Sequence, residues 1–224
     1  MPNNPDGLER LLEELSREGI TDPRVLDAIR RVPRERFVPE ECRPYAYRNI
    51  PLPIGHGQTI SQPFVVALMT QALQLRGTEK VLEVGTGSGY QSAILGELAR
   101  RVVSLERIES LAEAARGRLA ELGYSNVQVL VGDGSVGFPP EAPFDAIIVT
   151  AASPRVPQPL LEQLAEGGRL IVPVGSAHSQ ELLLYSLRGE RLSASRLGPV
   201  RFVPLVGEAG WRHPDLPHLS GDED

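Results

Sequence analysis

Val81-Leu-Glu-Val-Gly-Thr-Gly-Ser-Gly-Tyr90 reads as a buried strand, a glycine turn and the opening of a helix. Gly85, Gly87 and Gly89 let the backbone turn tightly and leave main-chain N–H groups, with those of Thr86 and Ser88 between them, open to a ligand. The spacing is G-x-G-x-G, a departure from the G-x-G-x-x-G of dinucleotide binders. Two features downstream extend the pattern. Glu106 lies 21 residues beyond Gly85, just after the apolar run Val102–Leu105, where a carboxylate can accept both hydroxyls of a ribose. Gly132-Asp133-Gly134 follows a third run, Val127–Val131, and there Asp133 and Gly134 can line an adenine pocket. A lone glycine cluster is often just a turn. Three ligand-facing features at the ends of successive strands, in order, favour a nucleoside site. Glu83 reads two ways, as a residue that orients the loop or as one that reaches an amino group of the ligand.

Outward from this stretch, short apolar runs alternate with helical stretches. Strands are expected at Val81–Val84, Val102–Leu105, Val127–Val131, Phe144–Val149 and Gly168–Pro173, with helices at Tyr90–Arg100, Ile108–Leu122 and from Pro159 to Leu164. Continuous apolar strands separated by helices imply a parallel sheet covered on both faces. After Gly175, Glu181–Leu187 and Arg191–Leu197 read as an antiparallel pair, and Val200–Val206 as a last short strand. Before residue 60 the pattern is helical and then irregular. Leu8, Leu11, Leu12 and Leu15 mark one amphipathic helix, and Asp22-Pro23 caps a second. The proline-punctuated segment up to Pro53 cannot form a long regular element. The expectation is one α/β domain: an N-terminal helical and irregular extension (1–60), a doubly wound, mostly parallel, Rossmann-like core (61–206), and a tail (207–224) that is loose or packed only in part.

Composition narrows the function. The chain has 224 residues and a formal charge of −6 with no basic block, which counts against a nucleic-acid partner. Cys42 is the single cysteine, so neither an intrachain disulfide nor a thiolate metal cluster can form, and the four histidines are not at ligand spacing. No metal is expected. No apolar run approaches the roughly 18 residues of a membrane helix, and the first residues carry no targeting signature, so a cytoplasmic protein without membrane partners, a monomer, is expected. The charge pattern also separates cofactors. A pyrophosphate would be repelled by carboxylates such as Glu83 near the loop, whereas the sulfonium and ammonium of S-adenosylmethionine suit them.

Upstream, Thr59-Ile60-Ser61-Gln62 offers hydroxyl and N–H donors in a loop before a helix, a set that can grip a carboxylate without protonating it. Ser61 before Pro63 reads equally as a helix N-cap. His56 reads as a loop histidine making structural hydrogen bonds.

Val81–Tyr90 resembles the first motif of class I methyltransferases. Gly55-His-Gly-Gln-Thr-Ile-Ser-Gln-Pro63 is narrower, and is similar to the signature of the protein-L-isoaspartate (D-aspartate) O-methyltransferases. So are Val32-Pro-Arg-Glu-Arg-Phe-Val-Pro39, Ile148-Val-Thr-Ala-Ala152, Leu170-Ile-Val-Pro-Val-Gly175 and Val200-Arg-Phe-Val-Pro-Leu205. The likeness runs in order over about residues 8–206. Thr150 departs from it, a glycine being common there, and on the tail after 207 it is silent. The resemblance implies a seven-stranded, doubly wound sheet with one antiparallel strand, its last two strands exchanged relative to other class I methyltransferases. It implies methyl transfer from S-adenosylmethionine to the free carboxylate of L-isoaspartyl or D-aspartyl residues in damaged proteins, the partners of the enzyme, followed by closure of the ester to a succinimide. The family's catalytic serine falls on Ser61, with Thr59 beside it. Ile60, Gln62, Glu83, Gly85, Thr86, Gly87, Ser88, Gly89, Glu106, Asp133 and Gly134 are then expected at the cofactor, and Gln58, Val203, Pro204 and Leu205 along the peptide cleft. The competing readings are a class I methyltransferase with another acceptor, such as RNA or a metabolite, and a nucleotide-binding or nicotinamide protein.

Overall fold

In a computed structural model, which describes residues 5–212, the alternating runs pair into a seven-stranded sheet. Its strands are β3 (Lys80–Val84), β4 (Arg101–Glu106), β5 (Val127–Val131), β6 (Phe144–Val149), β7 (Leu164–Gly175), β8 (Gln180–Arg188) and β9 (Arg191–Val200), in the order β5-β4-β3-β6-β7-β8-β9. The first five are parallel, and β8 runs antiparallel between β7 and the edge strand β9. A separate two-stranded hairpin, β1 (Leu52–Gly55) and β2 (Gln58–Ile60), precedes them.

Side-chain alternation divides the core in two. Leu82, Val84, Val103, Leu105, Ile147, Val149, Leu170 and Val172 face one side and pack with Phe144, Leu160 and Leu205. Val81, Val102, Ala146, Ile148 and Ile171 face the other, against Met69 and Leu73 of α3 (Pro63–Leu73) and Leu95 of α4 (Tyr90–Leu98). The leucine stripe of α1 (Pro5–Arg17) and the buried face of α2 (Pro23–Arg31) do not form a separate unit. Leu11, Leu15, Val25 and Ile29 join one cluster with Tyr90, Ala93 and Ile94 of α4 and with Ala112 and Leu119 of α5 (Glu109–Glu121). Asp22 caps α2, its side chain accepting from the Arg24 N–H.

Three expectations need correction. Residues 52–60, within the irregular extension, form the hairpin, which is too short for a periodic signal. β7 extends several residues beyond Gly168–Pro173 at its start. Residues 201–206 are no strand: Val203 O and Leu205 N bond both sides of Ala152, so this run is held by a loop and not by a strand. The start of the tail is packed: Gly207 N donates to Trp211 O, Trp211 N to Leu205 O and the Trp211 indole to Ala152 O at 3.1 Å. Residues 213–224 of the expected tail lie outside the described residues.

Candidate active site

The chain runs outward from β3 in both directions, to β4 and β5 on one side and to β6 and β7 on the other. Where strand order reverses in this way, the connections leave a crevice at the carboxyl ends of the strands. A cleft open in part to solvent occupies that position. Its wall comes from the loop after β3 (Gly85, Thr86, Gly87, Ser88), the end of β4 (Leu105, Glu106, Arg107), the end of β6 (Thr150, Ala151), the hairpin segment (Gln58, Thr59, Ile60, Ser61) and Val203, Leu205 and Val206. The glycine loop and the segment 20-odd residues upstream therefore meet at one site.

The loop is fixed by its surroundings. Gly85 has φ +98°, and a Cβ there would come within 2.4 Å of Thr150 Oγ1. That hydroxyl shares its one proton between the carbonyls of Val84 and Gly85, at 2.9 and 2.6 Å, and so ties the loop to the end of β6. Glu106 lines the cleft with its carboxylate held by two backbone donors, Gly87 N–H on Oε2 at 2.8 Å and Ile108 N–H on Oε1 at 2.9 Å. Each oxygen keeps a lone pair for a ligand hydroxyl.

Glu83 lies behind the loop, not in it. On β3 it pairs in register with Ser104, faces α4, and is completely buried. Ser104 Oγ donates to Glu83 Oε2 at 2.6 Å, Ser92 bonds the same oxygen, and Thr86 Oγ1 meets Ser104 Oγ at 2.6 Å. Glu83 Oε1 has no hydrogen-bond partner. Burial pushes this carboxyl up to about 8, against the pull of its two serine partners and with a smaller push from Glu106. Burial thus disfavours its charged form, and of the two readings of Glu83 its place behind the cleft wall favours the one that orients the loop. It orients the loop through Ser104 and Thr86.

Asp133 and Gly134 are also off the cleft wall. Asp133 Oδ1 accepts from Ser135 N and Oγ, and Oδ2 accepts from Glu208 N at 2.8 Å, so the carboxylate is occupied by the segment after 207. Gly134 sits where a Cβ would strike Val84 at 2.5 Å. Gly89, in the left-handed region, serves as the N-cap of α4. Gln62 and Pro204 flank the wall without lining it.

On the hairpin side, α3 takes Gln62 as its N-cap residue, without a side-chain cap. The Phe64 N–H is instead satisfied by Asn49 Oδ1 at 3.0 Å, and Asn49 Nδ2 donates in turn to Glu14 Oε1 of α1. Ser61 is therefore not spent as a cap. Among the described residues neither its hydroxyl nor that of Thr59 has a protein partner, while both residues face the cleft. His56, in the turn between β1 and β2 with φ +53°, places Nε2 3.1 Å from Ser110 Oγ and so ties the hairpin to α5. Cleft residues not singled out from the sequence are Val66, Tyr90, Gln91, Leu105, Arg107, Thr150, Ala151 and Val206. Arg107 and Thr150 directly follow the ends of β4 and β6, a position that could have marked them.

The model for Protein-L-isoaspartate(D-aspartate) O-methyltransferase matches residues 7–210. The chain is 56% identical over 212 residues to Protein-L-isoaspartate O-methyltransferase 1 of Syntrophobacter fumaroxidans, covering 94% of this chain and 99% of that one. It is 53% identical to the Protein-L-isoaspartate O-methyltransferase of Dictyoglomus thermophilum, over 91% of this chain and 92% of that one. Among solved structures, a protein-L-isoaspartate O-methyltransferase superposes with a TM-score of 0.81 at 32% identity, covering 91% of this chain and 67% of the other. A Plasmodium falciparum chain described as the same enzyme, in complex with S-adenosyl-L-homocysteine, superposes with a TM-score of 0.77 at 27% identity, over 88% and 97%. With sequence, fold and cleft in agreement, the chain belongs to the protein-L-isoaspartate(D-aspartate) O-methyltransferase family.

Proposed function

We infer that this chain transfers a methyl group from S-adenosylmethionine to the free carboxylate of L-isoaspartyl residues in damaged proteins, which starts their repair through a succinimide. The observation that carries the reading is one cleft that joins a glycine loop and a pre-set carboxylate, Glu106, to two unengaged hydroxyls, Thr59 and Ser61. The donor set fits a nucleoside: the Glu106 carboxylate has oxygens for ribose hydroxyls, beside a glycine loop whose Gly85 and Thr86 N–H groups bond Leu105 O and whose Gly87 N–H bonds Glu106, which holds it in shape. When bound, S-adenosylmethionine supplies an electrophilic methyl group on a sulfonium.

The chain's own residues have little proton chemistry to perform. A peptide α-carboxylate, with a pKa of about 3.5, is already the nucleophile at neutral pH. Ser61 and Thr59 donate hydrogen bonds that hold it in line, and the hairpin and Val203 and Leu205 shield it from water. Gln58 and Pro204 complete the peptide side. Ile60 and the loop residues Gly85, Thr86, Gly87 and Ser88 contact the cofactor directly, whereas Gln62, Glu83, Gly89, Asp133 and Gly134 hold the elements that do.

The charge of −6 supports a protein acceptor over a nucleic acid. Among the described residues no helix is long and apolar enough to cross a membrane. A cytoplasmic monomer is proposed with this activity; the single, buried cysteine suits a reducing compartment. The test is a radiolabelled methyl assay on two peptides that differ only in an isoaspartyl or an aspartyl linkage. Label on the isoaspartyl peptide alone is expected. Equal labelling of both, or of neither, would overturn the reading.

A further inference from the structure

The largest fully buried side chain is a charged one, Arg34, in the 3-10 turn Arg34–Phe37. Its Nη1 donates to Ala46 O at 2.7 Å, and its Nη2 donates to Ile50 O at 3.3 Å and to Ser61 O at 2.9 Å. Its guanidinium carbon lies 5.6 Å from the centre of the Tyr90 ring, which Phe37 in turn meets edge-on. Nε is buried without a partner, and among the described residues no carboxylate pairs with Arg34. The neighbouring Glu35 is engaged elsewhere, bonded to the Tyr47 hydroxyl.

A buried guanidinium without a counter-ion is costly, and carbonyl dipoles and a ring face compensate it only in part. A purely structural tie between loops could be made by a neutral side chain. Two of the groups that Arg34 touches, Ser61 and Tyr90, line the cleft, so the unpaired charge stands one residue behind its wall. At that depth an arginine stays protonated, and its field in a low-dielectric surrounding reaches the cleft largely unscreened.

We propose that Arg34 is a positioning residue of the acceptor site: its fork fixes the Ser61 carbonyl, and its uncompensated charge makes that corner of the cleft selective for an anionic acceptor. The proposal rests on the reading of Ser61 as the contact to the substrate carboxylate. A bound carboxylate then supplies the counter-ion the fold leaves out, and the preference for an ionised acceptor follows from the core itself.

The test compares binding of an isoaspartyl peptide with its counterpart whose free carboxylate is a carboxamide. Both are measured on the full chain, Arg34→Met and Arg34→Lys, in the presence of S-adenosylhomocysteine. The unaltered protein is expected to favour the carboxylate, and Arg34→Met to lose about tenfold or more of that preference while its affinity for S-adenosylhomocysteine stays within about threefold. Arg34→Lys keeps the charge but not the three-carbonyl fork, so it is expected to keep the preference and lose turnover. Equal weakening of both peptides in Arg34→Met would reduce Arg34 to a structural tie and overturn the proposal. Should Arg34→Met not fold, loss of the preference in Arg34→Lys would overturn it as well. Failure of the unaltered chain to methylate the isoaspartyl peptide is a separate outcome, and it sinks the proposed activity and this inference together.

Discussion

Ser61 and Glu106 line the same cleft, but their surroundings assign them different work. The Ser61 hydroxyl is unengaged, its helix being capped by Asn49, so removing it frees no buried group. Ser61→Ala should lower methyl transfer to an isoaspartyl peptide by about 10- to 100-fold and leave calorimetric affinity for S-adenosylhomocysteine nearly unchanged. Glu106 accepts from Gly87 N–H and Ile108 N–H, so Glu106→Ala loses the ribose acceptor and also releases the glycine loop. The expected cost is about 2–3 kcal/mol of cofactor affinity, roughly 30- to 150-fold in Kd. Unchanged turnover in the first variant, or unchanged affinity in the second, would remove that residue from its role. Arg34 escaped notice in the sequence because Arg34 and Arg36 look alike there. A 3-10 turn aligns positions i and i+3, which puts Arg34 on the buried side with Phe37 and leaves Arg36 exposed.

Among the elements, those with continuous apolar runs and local partners were readable: β3 to β6, α4 and α5 follow from run length and helical period alone. The hairpin β1–β2 was not, since four and three residues cannot show a period. Nor was the segment 201–212, whose ties to the rest of the fold go to residues distant in sequence, notably Ala152, Asp133 and Ser135. In the candidate site, the loop and Glu106 were readable because each ends an apolar strand. Asp133 has the same signal, and the structure adds what the sequence did not show: the returning chain bonds its carboxylate. Gly207 marks how tight that return is: a Cβ there would stand 2.1 Å from Asp133 Oδ1 and 2.4 Å from Ser135 Oγ, groups already bonded to each other. Gly207→Ala should break this clasp at a cost of about 1–3 kcal/mol, lowering the melting temperature by about 2–4 °C for each kcal/mol in a chain of this size. Calorimetric melting checks it, and an unaltered melting temperature would mean that the clasp contributes nothing to stability.

At the scale of the whole molecule, Glu83 couples stability to pH. Its carboxyl has an ordinary value of 4.5 and is raised to about 8 in the fold, chiefly by burial. Below about pH 4.5 the group is protonated in both states, and its contribution is fully present. Between about 4.5 and 8 the unfolded chain gives up the proton and the folded chain keeps it, so stability falls as pH rises through that window. Glu83→Gln keeps the shape without the titration, and should flatten the slope of urea-unfolding free energy against pH between 5 and 8, an effect on the order of several kcal/mol across the window. An identical slope in both proteins would place the ionisation elsewhere.

The leucine stripe of α1 and the glycine loop's own helix α4 share one hydrophobic cluster. Leu52 and Ile60 of the acceptor-side hairpin belong to it too, so the acceptor side and the methyl-donor side rise and fall together. Acceptor choice in this chain is not a cassette: grafting a foreign leader onto residues 61–206 would strip the packing beneath Tyr90 and Ile94 along with the old specificity. A new acceptor would have to be sought by changing side chains within the cleft.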